Sequence, residues 1–112
     1  MLGKLTGFDD TIVAVATAPG LGAIAVIRLS GPGAYAICNS LFPAKDLTRQ
    51  DSHTLHFGSI VSDNRIIDEV VISLFKGPRS YTGEDVIEIS CHGSPYIQQQ
   101  IIDATIKAGA RL

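Results

Sequence analysis

Tryptophan is absent from this 112-residue chain, and only three tyrosines and four phenylalanines occur. A surface that stacks nucleic-acid bases is built from more aromatic rings than that. Nor is there an excess of positive charge. Nine Lys and Arg stand against eleven Asp and Glu, giving a formal net charge of -2 and a pI near 5.8. A stand-alone nucleic-acid-binding domain would show a basic balance. The two cysteines, Cys38 and Cys91, are too few for a disulfide scaffold and form no CxxC pair. No apolar run approaches the roughly 18 residues that span a bilayer. Met1 to Asp10 contains no apolar signal-peptide core. A reducing cytoplasm is the simplest assignment. No Gly-Lys-Ser/Thr occurs anywhere, so nothing in these residues can hydrolyse GTP or ATP.

What is present is enough for one folded domain. Hydrophobic residues make up 46% and charged residues 18%, with a mean hydropathy of +0.26; a disordered segment is more polar. The length is that of a single domain. The alternating, β-branched stretch Thr11 to Ala18 predicts a strand. Pro19-Gly20-Leu21-Gly22 predicts a turn, and the apolar run Ala23 to Leu29 a second, buried strand. Gly31-Pro32-Gly33 opens a helix whose Ala34, Ile37, Cys38 and Leu41 share one face. Pro43 ends it, and Ala44 to Ser52 reads as polar and irregular. Thr54 to Val61 and Arg65 to Phe75 predict a hairpin around Ser62-Asp63-Asn64. Lys76 to Gly83 reads as a loop, and Val86 to Ser90 as a short strand. His92-Gly93 turns the chain. Ser94 and Pro95 then start a helix that runs to about Ala108, with Gly109 as its left-handed cap. Its apolar arc (Ile97, Ile101, Ala104, Ala108, widened by Ile102 and Ile106) is broad enough to predict contact with more than one sheet face. The ending Ala110-Arg111-Leu112 reads as an interrupted domain. The fold class expected is α/β (α+β), a mixed sheet with two or three helices.

Few residues carry chemistry. Gly20 and Gly22 follow a strand but precede another strand, so no helix N-terminus faces them, and a hairpin turn is the better reading. His53 and His56, at odd spacing on a strand start, point to opposite faces and make a poor metal pair. Cys91 and His92 are adjacent, which stops a nucleophile pair unless the chain bends. Cys38 lies on an apolar helix face as a packed thiol.

Arg28 and Glu88 are different. Each interrupts what reads as a buried strand, where an unpaired charge costs several kcal/mol (order of magnitude). Alternation places Arg28 with Ile24, Val26 and Ser30, and Glu88 with Val86 and Ser90. Two opposite charges so placed imply either a mutual ion pair or a pocket. In the pocket, Glu88 accepts hydrogen bonds from an amino-substituted heterocycle and Arg28 holds an acidic or carbonyl group. The loop from Lys76 to Gly83, with Glu84 and Asp85, reads as a solvated turn or as a wall beside Glu88.

Three blocks carry a family resemblance. They are Asp10-Thr-Ile-Val-Ala-Val-Ala-Thr-Ala-Pro-Gly20, Gly22-Ala-Ile-Ala-Val-Ile-Arg-Leu-Ser-Gly-Pro32 and Ser80-Tyr-Thr-Gly-Glu-Asp-Val-Ile-Glu-Ile-Ser-Cys-His-Gly93. Together they resemble the N-terminal domain of the MnmE (TrmE, ThdF) family of tRNA modification GTPases, from Asp10 onward. The resemblance implies a module similar to the folate-binding domain of the glycine-cleavage T-protein, here residues 1–112. It implies that this domain binds a reduced folate, formyl- or methylene-tetrahydrofolate, as one-carbon donor and mediates homodimerisation. In the full protein a helical domain and a G domain follow. With the flavoprotein MnmG, that protein installs an aminomethyl-type group at C5 of the wobble uridine of certain tRNAs. GTP, potassium and magnesium belong to the G domain. The family's folate-contacting arginine falls on Arg28 and its glutamate on Glu88; a contacting lysine lies in the segment that follows. No catalytic residue and no metal ligand is carried over onto this chain.

Two departures are visible. Many members have Pro-Pro-Gly at Ala18-Pro19-Gly20, and His-Gly-Gly at His92-Gly93-Ser94. Two rival readings remain. One is an assembly-only dimerisation module with Arg28 and Glu88 as a structural pair. The other is a stand-alone folate-dependent aminomethyltransferase relative, which needs a larger chain with its own catalytic acid.

Overall fold

A computed structural model describes residues 10–17, 22–78 and 83–112. Along these the chain forms β1 (Ile12–Val15), β2 (Ile24–Ser30), α1 (Ala34–Ser40), a 3-10 turn (Leu47–Arg49), β3 (Thr54–Ser62), β4 (Arg65–Phe75), β5 (Val86–His92) and α2 (Pro95–Lys107). The expected turn at residues 19–22 lies outside the described residues save for Gly22.

The five strands make one sheet in the order β1-β2-β5-β4-β3. Every neighbouring pair is antiparallel. The mixed sheet expected from the sequence is therefore an antiparallel one. Among the described residues its single parallel element is a bridge between Ile12 and Arg111. Asp63 and Asn64 take φ of 53° and 62°, the doubly left-handed turn that matches the twist of a two-residue hairpin. β5 completes the sheet by entering between β2 and β4.

Both helices lie on one face. That face carries Val13 from β1, Ala25, Ile27 and Leu29 from β2, Ile87, Ile89 and Cys91 from β5, and Val70, Ile72 and Leu74 from β4, all buried. Helix α2 crosses it, touching β1, β2, β4 and β5. Ser94 caps it: its hydroxyl accepts the Ile97 N–H, and Pro95 opens the first turn. The breadth of the apolar arc is not fully used. Ile106 is 40% exposed, while polar Gln98 and Thr105 are buried. Gln98 donates to the Gly93 carbonyl and Thr105 to the Ile102 carbonyl, so each polar group enters the core with a partner. The helix covers one sheet face and not two.

The segment read as polar and irregular contributes to the core. Leu47 within it is fully enclosed, as is Phe42 just before Pro43. The Asn39 side-chain oxygen accepts the Leu47 N–H at 2.8 Å, which pins the crossover from α1 to β3. His56 also points inward and is buried. One ring nitrogen meets the Thr54 hydroxyl at 2.8 Å; the other, Nδ1, has no partner among the described residues. Burial, aided by the positive charge of Lys45, lowers the His56 pKa below its ordinary 6.5. The unfolded chain therefore takes up this proton first as pH falls, and the folded chain loses stability below 6.5. Urea unfolding at about pH 5 and about pH 8 is expected to show a larger acid-side loss in the wild type than in His56→Gln. Equal losses would refute the assignment.

Candidate functional site

The opposite sheet face is uncovered by any described element. The antiparallel register places Arg28 directly across from Glu88, with Ala14 and Ser73 continuing the row on either side. Both charges thus lie on this open face, and their side chains are 38% and 27% exposed. The sequence reading placed them in a strand buried on both sides. The structure corrects that, because both helices pack on the other face. An ion pair this exposed contributes about 0–1 kcal/mol, and no large burial cost has to be offset.

The pair itself is formed. Arg28 Nε and Nη2 both donate to Glu88 Oε2, at 3.0 and 2.7 Å. Among the described residues nothing donates to Glu88 Oε1. Arg28, Glu88, Phe75 and Val86 together line a hollow of about 260 Å³. Phe75 and Val86 are the residues at which the chain leaves β4 and enters β5. The connection between them is tied at its ends: Lys76 N–H donates to the Ser52 hydroxyl and Gly77 N–H to Asp85 Oδ1. Its middle, 79–82, lies outside the described residues, so the expected wall beside Glu88 is seen only at its two flanks. His53 packs edge-on against Phe75, with ring centroids 5.4 Å apart.

The other singled-out residues are dispersed. His53 precedes β3 with φ 62°, while His56 faces the core. Cys38 is buried, and burial pushes its thiol up to about 12. Cys91 faces the helices, its thiol raised to about 11 by burial and then by the charge of Asp68. His92 faces the open side, so the two do not pair.

The structure adds a dyad that the sequence does not announce. Asp68 Oδ2 accepts the backbone N–H of His92 at 2.9 Å, and Oδ1 accepts its ring Nδ1–H at 2.7 Å. The Asp68 side chain is only 10% exposed, against 73% for His92. A bulge in the β3–β4 ladder between Ile60 and Val61 shifts the register beside Asp68. Nothing in a one-dimensional pattern reveals a carboxylate that reaches a strand 24 residues on.

Residues 11–112 match the family described as the GTP-binding protein TrmE N-terminus. The chain belongs to the TrmE N-terminal family. Relatives named tRNA modification GTPase MnmE include one from Flavobacterium johnsoniae, 60% identical over 107 residues. The alignment covers 93% of this chain and 23% of that relative. The Cytophaga hutchinsonii protein of the same name is 51% identical, over 96% of this chain and 23% of the relative. The Streptococcus thermophilus one is 47% identical, over 97% and 24%. The chain thus spans about a quarter of the length of these relatives. No helix among the described residues is long and apolar enough to cross a membrane. In this TrmE N-terminal domain the Arg28–Glu88 hollow lies on the open sheet face, whereas Asp68, paired with the core residue Ile60, belongs to the helix-covered side and reaches His92 at the end of β5.

Proposed function

We propose that this chain is the reduced-folate-binding and dimerisation domain of a tRNA modification GTPase. The carrying observation is the half-exposed Arg28–Glu88 pair over its hollow. Glu88 uses one carboxylate oxygen for Arg28 and leaves Oε1 to accept N–H groups. That matches the donor edge of an amino-substituted pterin ring. Arg28, already oriented by Glu88, turns its remaining guanidinium N–H groups to a carbonyl or acidic group of the ligand. Phe75 and Val86 supply the apolar walls. Formyl- or methylene-tetrahydrofolate, when bound, supplies a one-carbon unit. This chain's own part is to bind and orient it.

The remaining steps belong to the rest of the protein and its partners. These are GTP hydrolysis with potassium and magnesium, cooperation with MnmG, and modification of the wobble uridine in a cytoplasmic tRNA. Homodimerisation has support on this chain. Ile24, Leu55 and Phe57 stand 65%, 69% and 65% exposed, and the strand registers place them on the open face. Apolar surface of that kind marks an interaction site. This is also the observation that favours the assembly-only reading.

Calorimetric titration with 5-formyl-tetrahydrofolate separates the two. Saturable binding that weakens at least about tenfold in Arg28→Ala, as for loss of a charge-assisted hydrogen bond, is the expected result. A dimer by sedimentation with no saturable heat, in this chain and in one extended by the segment assigned the lysine contact, would leave assembly as the sole function.

A further inference from the structure

His53, beside the Arg28–Glu88 hollow, is held in a conformation its backbone does not favour. Its φ is 62°, in the left-handed region that glycine or asparagine enters more easily than a ring-bearing residue. Such a conformation persists where the surroundings over-determine it.

Here they do. The His53 N–H donates to the Leu74 carbonyl at 2.6 Å. The Ser52 hydroxyl accepts the Lys76 N–H at 2.8 Å. Its own hydrogen is then left for His53 Nδ1, also at 2.8 Å. Ser52 and His53 are thus bonded to β4 immediately before Phe75 and to the chain immediately after it. The imidazole meets the Phe75 ring edge-on, with centroids 5.4 Å apart and planes at 89°. The ladder explains the encounter. Thr54 pairs Leu74, so one step further along His53 stands across from Phe75. Val86 pairs Phe75 from the other side.

Phe75 has need of that support. With Val86 it forms the apolar lining of the Arg28–Glu88 hollow, on the sheet face that no described element covers. No helix presses on its ring from above. Cross-strand neighbours therefore fix it, Val86 on one flank and His53 on the other. We infer that His53 is a positioning residue for ligand binding: it holds the Phe75 ring in place, so that the hollow is formed before the ligand arrives. A preformed wall spares the ligand the cost of ordering it. The left-handed backbone at His53 is what the fold gives up to place a ring there. The inference rests on the reduced-folate reading of the hollow and adds a residue that shapes it.

Two variants with opposite merits test it. His53→Asn suits the left-handed backbone but carries no ring. His53→Tyr keeps a ring for Phe75 but is bulky for that backbone. A residue that only stabilises the fold would rank the two alike by unfolding midpoint and by affinity. A positioning residue ranks them oppositely. His53→Asn is expected to unfold at a higher temperature than His53→Tyr. In calorimetric titration, at a temperature where every protein is folded, it should bind 5-formyl-tetrahydrofolate about threefold or more weakly than the wild type. His53→Tyr should stay within about twofold of the wild type. Arg28→Ala, titrated alongside, keeps the two readings apart. Suppose the wild type saturates and Arg28→Ala weakens it. Then wild-type affinity in His53→Asn, affinity in His53→Tyr no better than in His53→Asn, or one ranking in both measurements overturns the inference and leaves the folate reading standing. A wild type that does not saturate, in this chain and in the extended one, overturns the folate reading and the inference with it.

Discussion

Replacing Gly93 with alanine is expected to destabilise the domain by more than about 3 kcal/mol, enough to unfold much of a marginally stable chain. A Cβ at this position would sit 1.9 Å from the Gly22 carbonyl oxygen and 2.4 Å from its carbon. Both are backbone atoms and cannot rotate away. Here the chain leaving β5 meets the chain entering β2, through a bond from Gly22 N–H to the Gly93 carbonyl and one from Gly93 N–H to the Ala23 carbonyl, each 3.3 Å. The two segments would have to part and lose both bonds. The Gly93 carbonyl also accepts from the buried Gln98 side chain, so the start of α2 would move with it. Gly83→Ala is the control. Its φ is +83°, but nothing lies within 4 Å of where the alanine methyl would sit, so only the left-handed penalty of about 1–2 kcal/mol applies. Thermal unfolding of the two variants beside the wild type tests this. A Gly93→Ala midpoint as high as that of Gly83→Ala would show that the β2–β5 junction is looser than its geometry.

Exchanging the charges of the central pair, Arg28→Glu with Glu88→Arg, is expected to separate stability from ligand binding. The two residues face each other across an antiparallel ladder, so the exchanged pair can still meet. Each single change leaves like charges opposed on a half-exposed face and should cost about 1 kcal/mol or less. The exchange should recover most of that. Ligand binding has no such symmetry. The acceptor oxygen would move to β2 and the guanidinium to β5, reversing donor and acceptor against the hollow formed with Phe75 and Val86. Affinity for 5-formyl-tetrahydrofolate should fall at least about tenfold in both singles and stay low in the exchange. Unfolding midpoints and calorimetric titrations on the four proteins give both axes. Recovery of affinity in the exchanged protein would mean that the pair acts only through its stability.

The elements themselves were legible because each rule that signals them is local. Alternation over residues 54–61 and 65–75 gave the hairpin, whose observed strands are Thr54–Ser62 and Arg65–Phe75. Ser94 and Pro95 gave the start of α2, and Gly109, at φ +123°, its end. Arg28 and Glu88 stood out as charges breaking apolar runs, and the sequence left open whether they pair with each other. They do, and the hollow beside them keeps the second possibility alive. Leu47 was missed because one buried residue in a 3-10 turn has no period. Ile106 was misread because helical spacing tells which side chains align and not where the covering surface stops.

What the sequence determined by itself is therefore the set of strands and helices, the two charges that interrupt apolar strands, and membership of a family through ordered blocks of residues. All of these follow from neighbours along the chain. Only the tertiary structure decided that both helices pack on one face and leave the other open. That choice turns Arg28 and Glu88 from buried charges into an accessible pair. It also decided the β1-β2-β5-β4-β3 order, which brings Glu88 opposite Arg28 across 60 residues and lets Asp68 orient His92. Which face is covered is set by where the helices dock on the finished sheet, and alternation along a strand marks two faces without saying which one the rest of the molecule will cover.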